Sequence, residues 1–170
     1  MIPRLPLAGV RVHISGTATD ERQEEICLFV KTLASRIFSE GGAVIHGSHP
    51  SLSQPLEDAA RNFLQAGGEI GALTLVRAQK FSETDAQITE IETQRQFAAV
   101  QIVPAETDGV GNSDLTPMRD WMAERSDAVV CVGGKWWDIN KANAGVPTEL
   151  DTMLDLGKPG FVVAGFGGAI

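Results

Sequence analysis

Ser126-Asp127-Ala128-Val129-Val130-Cys131-Val132-Gly133-Gly134, followed after residues 135–144 by Gly145-Val146-Pro147-Thr148-Glu149-Leu150, is the stretch whose reading decides the fold. It reads as a buried strand, a glycine turn, a long loop, and a helix opening at Pro147. An apolar run that ends in paired glycines and feeds a helix N-terminus is how α/β proteins build an anion site. The glycines let the backbone approach a ligand, and the free N–H groups of the first helical turn point at it. Glu149, one turn into that helix, raises the question of chemistry.

Working outward, the chain alternates strands and helices. Val10-Arg11-Val12-His13-Ile14 predicts a first strand ending in Ser15-Gly16-Thr17. A helix over 20–40 follows, with Ile26, Phe29, Val30, Leu33 and Ile37 on one face, and Gly41-Gly42 stops it. A short strand covers 43–46. A second helix has Pro55 near its start and ends at Gly67-Gly68. Strands at 73–76 and 98–103 flank a partly helical segment over 82–97, with Ser82 and Asp85 spaced as a cap. A helix over 115–125, the strand 128–132, the helix 147–156 and a last strand 161–164 complete the pattern. Such alternation predicts a three-layer, Rossmann-like α/β fold, a mainly parallel sheet with helices on both faces.

Composition narrows the function. A chain of 170 residues with 43% hydrophobic and 21% charged residues reads as one domain with a real core. A net charge of -8 argues against a nucleic acid polymer, which needs clustered Lys and Arg. A small nucleotide needs only a local positive field. No apolar run reaches the ~20 residues of a membrane span, and no signal-peptide pattern opens the chain. Cys27 and Cys131 lie in apolar segments and read as buried small hydrophobes of a reduced, cytoplasmic protein.

Ligands of parallel sheets bind at the carboxyl ends of strands, near a switch in strand order. Three loops therefore converge on one site: Ser15-Gly16-Thr17-Ala18-Thr19, Gly47-Ser48-His49-Pro50-Ser51, and residues 133–147. Each residue there also has a structural reading. Glu149 near a helix N-terminus is stabilised by the macrodipole, by ~0.3–1 kcal/mol, which alone accounts for it as part of a cap. As a functional group it either binds ribose hydroxyls or supports N-glycosidic cleavage. Arg119 is either a solvated partner of Asp120 or Glu124, or a ligand contact. Trp136 and Trp137 either pack the loop or close over a base. His13 reads as a satisfied core or sheet-face residue. His46 and His49 do not make a metal site by their spacing, and no metal or cofactor is expected.

The Ser15-Gly16-Thr17 loop, the His46-Gly47-Ser48-His49 loop and the Ser126-to-Glu149 block together resemble the SLOG superfamily. The resemblance runs from about Val10 to Gly168. Its relatives include LOG phosphoribohydrolases, DprA-like proteins, and ligand-sensing domains of antiphage systems such as Thoeris. In the LOG enzymes a GGxGTxxE motif supplies phosphate-binding backbone and a catalytic Glu, and a preceding helix supplies an Arg. Gly133-Gly134 resembles the glycine pair and Glu149 the carboxylate. Arg119 is the nearest Arg, although the enzymes' register falls on Met118. Residues 135–144 form an insertion where the enzymes have a compact turn, and Val146 stands where they have Thr.

These departures make the chain more similar to the sensing branch. The resemblance implies a sensor domain for a small nucleotide-derived signal, such as an NAD-derived cyclic ADP-ribose isomer, in a prokaryotic immune or signalling system. It implies self-association and a fused or separate effector. Because the sequence stops just after a strand, we read it as a domain excised from a longer, effector-fused protein. Two alternatives stand beside this: an N-glycoside hydrolase using Glu149 and Arg119, and a structural oligomerisation module. The expected ligand contacts are Ser15, Gly16, Thr17, Gly47, Ser48, His49, Arg119, Gly133, Gly134, Trp136, Trp137, Thr148 and Glu149.

Overall fold

The computed structural model describes residues 5–18, 20–104, 115–134 and 145–167. Within them the elements run β1 (Arg11–Thr17), α1 (Gln23–Ser39), β2 (Ala43–His46), α2 (Pro50–Gln65), β3 (Leu73–Ala78), α3 (Asp85–Gln94), β4 (Ala99–Val103), α4 (Thr116–Arg125), β5 (Ala128–Gly133), α5 (Gly145–Asp155) and β6 (Gly160–Val163). The six strands form one sheet in the order β4-β3-β2-β1-β5-β6, and every pairing is parallel. The order runs outward in one direction from β1 to β4 and in the other from β1 through β5, so the switch point lies between β1 and β5. That is where a parallel sheet opens a crevice for a ligand.

Side-chain alternation along the strands separates two cores. Val12, Ile14, Val44, Leu73, Leu75 and Val132 pack under α1 and α2. On the opposite face, Ile45, Val76 and Val103 pack with Met118 and Met122 of α4, while Val129 and Cys131 pack with Val146 and Met153 of α5. The three-layer α/β architecture is therefore as the alternation predicts.

Local chemistry explains where elements begin and end, and where the sequence misleads. A 3-10 turn, Asp20–Arg22, precedes α1. That helix ends as expected at the glycine pair: Gly41 has φ +81°, and the N–H groups of Gly41 and Gly42 return to the carbonyls of Phe38 and Ile37. Helix α2 starts earlier than Pro55 suggests. Pro50 occupies its first turn and His49 caps it, so Pro55 is interior. A proline there withholds the N–H that Ser51 O would receive, and Cys27 Sγ lies 3.6 Å from that carbonyl and donates to it. Cys27 is thus half-buried with a structural contact, and not a fully buried hydrophobe. The cap of α3 is Thr84, not Ser82, because Thr84 and Gln87 form the reciprocal capping box. Helix α5 already includes Gly145, two residues before Pro147, which puts Glu149 deeper into the helix than the proline suggests.

Candidate functional site

At the carboxyl ends of β1, β2 and β3 the structure has a cavity of about 890 Å³. That is within the range of small-molecule sites. Its walls come from the β1 and β2 loops, the start of α2, the end of β3, and the facing sides of α3, α4 and α5.

The wall at the switch point centres on Glu149. His13 and Ser15, on the β1 face that meets α4 and α5, both reach it. Ser15 Oγ donates to Glu149 Oε2 at 2.5 Å. His13 Nε2 lies 3.3 Å from the same oxygen but off the line of a hydrogen bond, so both ring nitrogens of this buried histidine lack a hydrogen-bond partner. Arg119 Nε approaches Oε1 at 3.6 Å and likewise has no hydrogen-bond acceptor. The Glu149 side chain is 15% exposed and that of Arg119 18%. Burial, the largest influence, pushes the Glu149 carboxyl up. Its contact with His13, the Ser15 hydrogen bond and the Arg119 charge together outweigh burial and hold it below the usual carboxylate range. The site therefore presents a buried carboxylate kept in its charged form, beside a guanidinium with unused donors.

Glycine makes this approach of elements feasible. A Cβ on Gly16 would collide with the Val132 carbonyl, and one on Gly145 would sit 3.2 Å from an Arg119 guanidinium nitrogen. Met118, at the register of the enzymes' Arg, is buried against Ile45 and Val76, while Arg119 turns to Glu149. Cys131, next to Ser15 across the β1–β5 pairing, is an inert thiol: burial and the Glu149 charge push it up to about 12.

The β2 loop is held by histidines. His46 is buried, its Nδ1 donates to Ile14 O at 2.8 Å, and its Nε2 accepts the His49 N–H at 3.1 Å. This pattern needs the neutral ring, and burial lowers its pKa to about 4. His49 caps α2 by accepting the Ser51 N–H, and its carbonyl accepts those of Leu52 and Ser53. These amides of α2 are therefore already engaged and do not form an open anion site. Ser51 Oγ ties the β1 loop in by accepting the Ala18 N–H at 3.0 Å. Ser48 takes the left-handed conformation, φ +55°, and its buried hydroxyl has no partner.

Ser15, Gly16, Thr17, Gly47, Ser48, His49, Arg119 and Glu149 thus all line one cavity. Gly133, Gly134 and Thr148 are not among its lining residues. Gly134 instead donates its N–H to Thr17 O at 3.3 Å, which stitches β5 to β1 and leaves that amide occupied. Trp136 and Trp137 lie outside the described residues. Among the described residues no cluster of His, Cys, Asp and Glu has the make-up of a metal site, and no helix is long and apolar enough to cross a membrane.

Sequence reasoning missed two parts of this cavity. His13 is not a satisfied sheet-face residue but a member of the Glu149 cluster. On the far wall, Arg77, Glu57 and Gln94 form a buried polar network. An Arg in an otherwise apolar strand, six residues after Gly71, was the available signal.

Comparison with known proteins adds the family. Residues 72–170 match the family model described as SLOG cluster2, which spans more than half of the chain. The chain belongs to the SLOG cluster2 family. The match includes Arg77, Gln94, Arg119 and Glu149, so both walls of the cavity draw on it. No curated protein sequence matches this SLOG chain. Solved structures share its fold. DNA processing protein A from Helicobacter pylori, described as binding single-stranded DNA, aligns with TM-score 0.64 and 14% identity over 95% of this chain and 70% of its own. The structural-genomics target TM1055 aligns with TM-score 0.61 and 18% identity, over 94% and 76%. The molybdenum cofactor carrier protein of Chlamydomonas reinhardtii aligns with TM-score 0.55 and 18% identity, over 90% and 75%. At these identities the likeness is one of fold. The SLOG chain has the Rossmann-type fold of these proteins.

Proposed function

We propose that this SLOG domain binds a small nucleotide-derived ligand and acts as a sensor without turning it over. The observation that carries this reading is the Glu149 carboxylate, held charged in the cavity wall by His13 and Ser15 and faced by Arg119. A carboxylate kept charged accepts hydrogen bonds from ribose hydroxyls, as acidic residues do in dinucleotide folds. It is a poor general acid, because that role needs a pKa near the working pH. Arg119 supplies charge-assisted donors for a phosphate. The cavity volume of about 890 Å³ suits one nucleotide-sized ligand and not a polymer, in keeping with the chain's net charge of -8.

The finer reading follows the resemblance. The signal is an NAD-derived nucleotide such as a cyclic ADP-ribose isomer, in a cytoplasmic prokaryotic immune or signalling system. The domain self-associates and passes its state to a fused or separate effector. A hydrolase is the alternative, supported by the same pair: an ionised Glu149 would stabilise an oxocarbenium-like ribose without changing protonation, with Arg119 on the phosphate.

The test incubates the protein with NAD, ADP-ribose, cyclic ADP-ribose isomers and nucleoside monophosphates, and reads thermal shift and chromatography of the same samples. The sensor predicts a shift with at least one ligand and no release of free base. Base release by the wild type that disappears in Glu149→Gln would establish the hydrolase instead. No shift with any ligand, and no release, would leave the structural module.

A further inference from the structure

The cavity has a second polar wall, at the end of β3. In strand register, Ile14 neighbours His46, which pairs with Leu75, so Arg77 on β3 is level with Gly16 on β1. Two interstrand spacings of roughly 4.8 Å separate them. Arg77 is 7% exposed and lines the cavity. It donates to Gln94 Oε1 at 3.0 Å and pairs with Glu90 at 2.7 Å, while its buried Nε has no acceptor. Gln94 Nε2 in turn donates to Glu57 Oε1 at 2.7 Å, and Glu57 pairs with Arg61 at 3.3 Å.

The two walls differ in what they leave unused. At the switch point the guanidinium of Arg119 keeps free donors beside Glu149. At the far wall two carboxylates keep free acceptors beside the Arg77 Nε, because a carboxylate offers about four lone-pair sites. Among the described residues Glu57 accepts from Gln94 and Arg61, and Glu90 meets Gln94 and Arg77 through a single oxygen. Both residues line the cavity. Arg77 sits between them one acceptor short.

We propose that this far wall is a base-reading subsite, in which Glu57 and Glu90 accept from the exocyclic amine of a heterocyclic base while Arg77 supports a ring acceptor beside it. The inference rests on the nucleotide reading of the same cavity and deepens it. The ligand then lies with its phosphate at Arg119 and its base over the end of β3. Adenine carries an amine donor next to a ring nitrogen acceptor. Hypoxanthine puts an oxygen where the amine was and sets it against a carboxylate. A polar site built for one pattern rejects the other strongly, because mismatched groups stay unpaired.

Calorimetric titration with AMP, IMP and ribose 5-phosphate tests this on the wild type, Glu57→Gln and Glu90→Gln. AMP is expected to bind the wild type at least tenfold tighter than IMP. The ratio is expected to fall at least threefold in Glu57→Gln, whose amide can also donate to the oxygen, with ribose 5-phosphate affinity unchanged. Glu90, half exposed, gives a second variant whose amide oxygen can still accept from Arg77, and the same fall in ratio is expected there if Glu57→Gln does not fold. Equal wild-type affinity for AMP and IMP, with ribose 5-phosphate still bound, would overturn the base-reading subsite and leave the nucleotide reading standing. An unchanged ratio in a folded Glu57→Gln would overturn it as well. Absence of binding by all three probes would overturn the base-reading subsite, and the nucleotide reading with it if NAD, ADP-ribose and its cyclic isomers also give no thermal shift.

Discussion

Ser15 and Glu149, 134 positions apart in the chain, share a hydrogen bond of 2.5 Å that joins the end of β1 to α5 across the cavity wall. It converts a helix-borne carboxylate into a fixed part of the switch-point crevice. A hydrogen bond to a charged group contributes about 1.5–3 kcal/mol, so Ser15→Ala should destabilise the protein by roughly that amount at pH 7. The Glu149 pKa is lowered in the folded state, so its contribution is full above the unfolded carboxylate value and is lost as pH falls through the folded one. The gap between wild type and Ser15→Ala in urea unfolding should therefore be constant from pH 7 to about 5 and narrow below that. Identical midpoints at pH 7 would show that the bond contributes nothing.

His46 should give the protein an acid-sensitive loop. Its folded pKa is lowered to about 4, against an unfolded value of about 6.5. Stability is thus fully present above about pH 6.5 and is lost as pH falls towards 4, by on the order of 3 kcal/mol for this group. Urea unfolding at pH 7, 5.5 and 4.5 should show that slope in the wild type. His46→Gln should be less stable at pH 7 and flatter across the series. A variant slope as steep as the wild type's would move the effect to another group.

Ser48 should show a trade between stability and binding. A left-handed conformation costs a non-glycine residue ~1–2 kcal/mol, and glycine returns part of that as added chain entropy. Ser48→Gly is expected to raise stability by about 0.5–1 kcal/mol. With the buried, unpartnered hydroxyl removed from the cavity, affinity for the bound nucleotide should fall. A rise in stability with unchanged affinity would mark the strain as structural only.

Arg119→Ala should weaken nucleotide binding by ~1.5–3 kcal/mol, the usual value of a charged hydrogen bond. Its Nε has no hydrogen-bond partner to lose and stands 3.6 Å from Glu149, so folding stability should change far less. Calorimetric titration beside thermal unfolding separates the two. Unchanged affinity removes Arg119 from the site.

Gly16→Ala tests the crevice itself. The added methyl would collide with the Val132 carbonyl, and close-packed backbone yields little. The loss expected is above ~3 kcal/mol, at or beyond the upper end of overpacking costs. A Gly16→Ala protein with wild-type stability would mean that β1 and β5 are not packed as described.

Much of the fold was legible in the sequence because its signals are local. The apolar face of α1, the Gly41-Gly42 stop and the strand runs each depend on neighbours within a few residues. The family was legible for a similar reason: Gly16, Gly133 and Glu149 sit in short motifs. Turn chemistry was legible only approximately. Thr84 and Ser82 look equivalent as caps until the geometry selects one, and Pro55 looks like a helix start until Pro50 supplies it.

The cavity's chemistry was decided by tertiary structure. Nothing near His13 in sequence indicates that its ring faces Glu149, because strand parity and the β1–β5 switch point jointly place it there. Arg119 and Met118 differ by one residue, and only the rotation of α4 on the sheet sends one to the carboxylate and the other into the core. Gly134 reads as a phosphate donor until its N–H is seen to be given to Thr17. Arg77, Gln94 and Glu57 come from three elements and meet only when β3, α3 and α2 pack. The sequence by itself determined the elements and the motifs, since hydrophobic period and glycine conformation act over one turn. Which polar groups are buried together, and so which charges and unused bonds remain for a ligand, depends on contacts between residues far apart in the chain, and those exist only in the folded sheet.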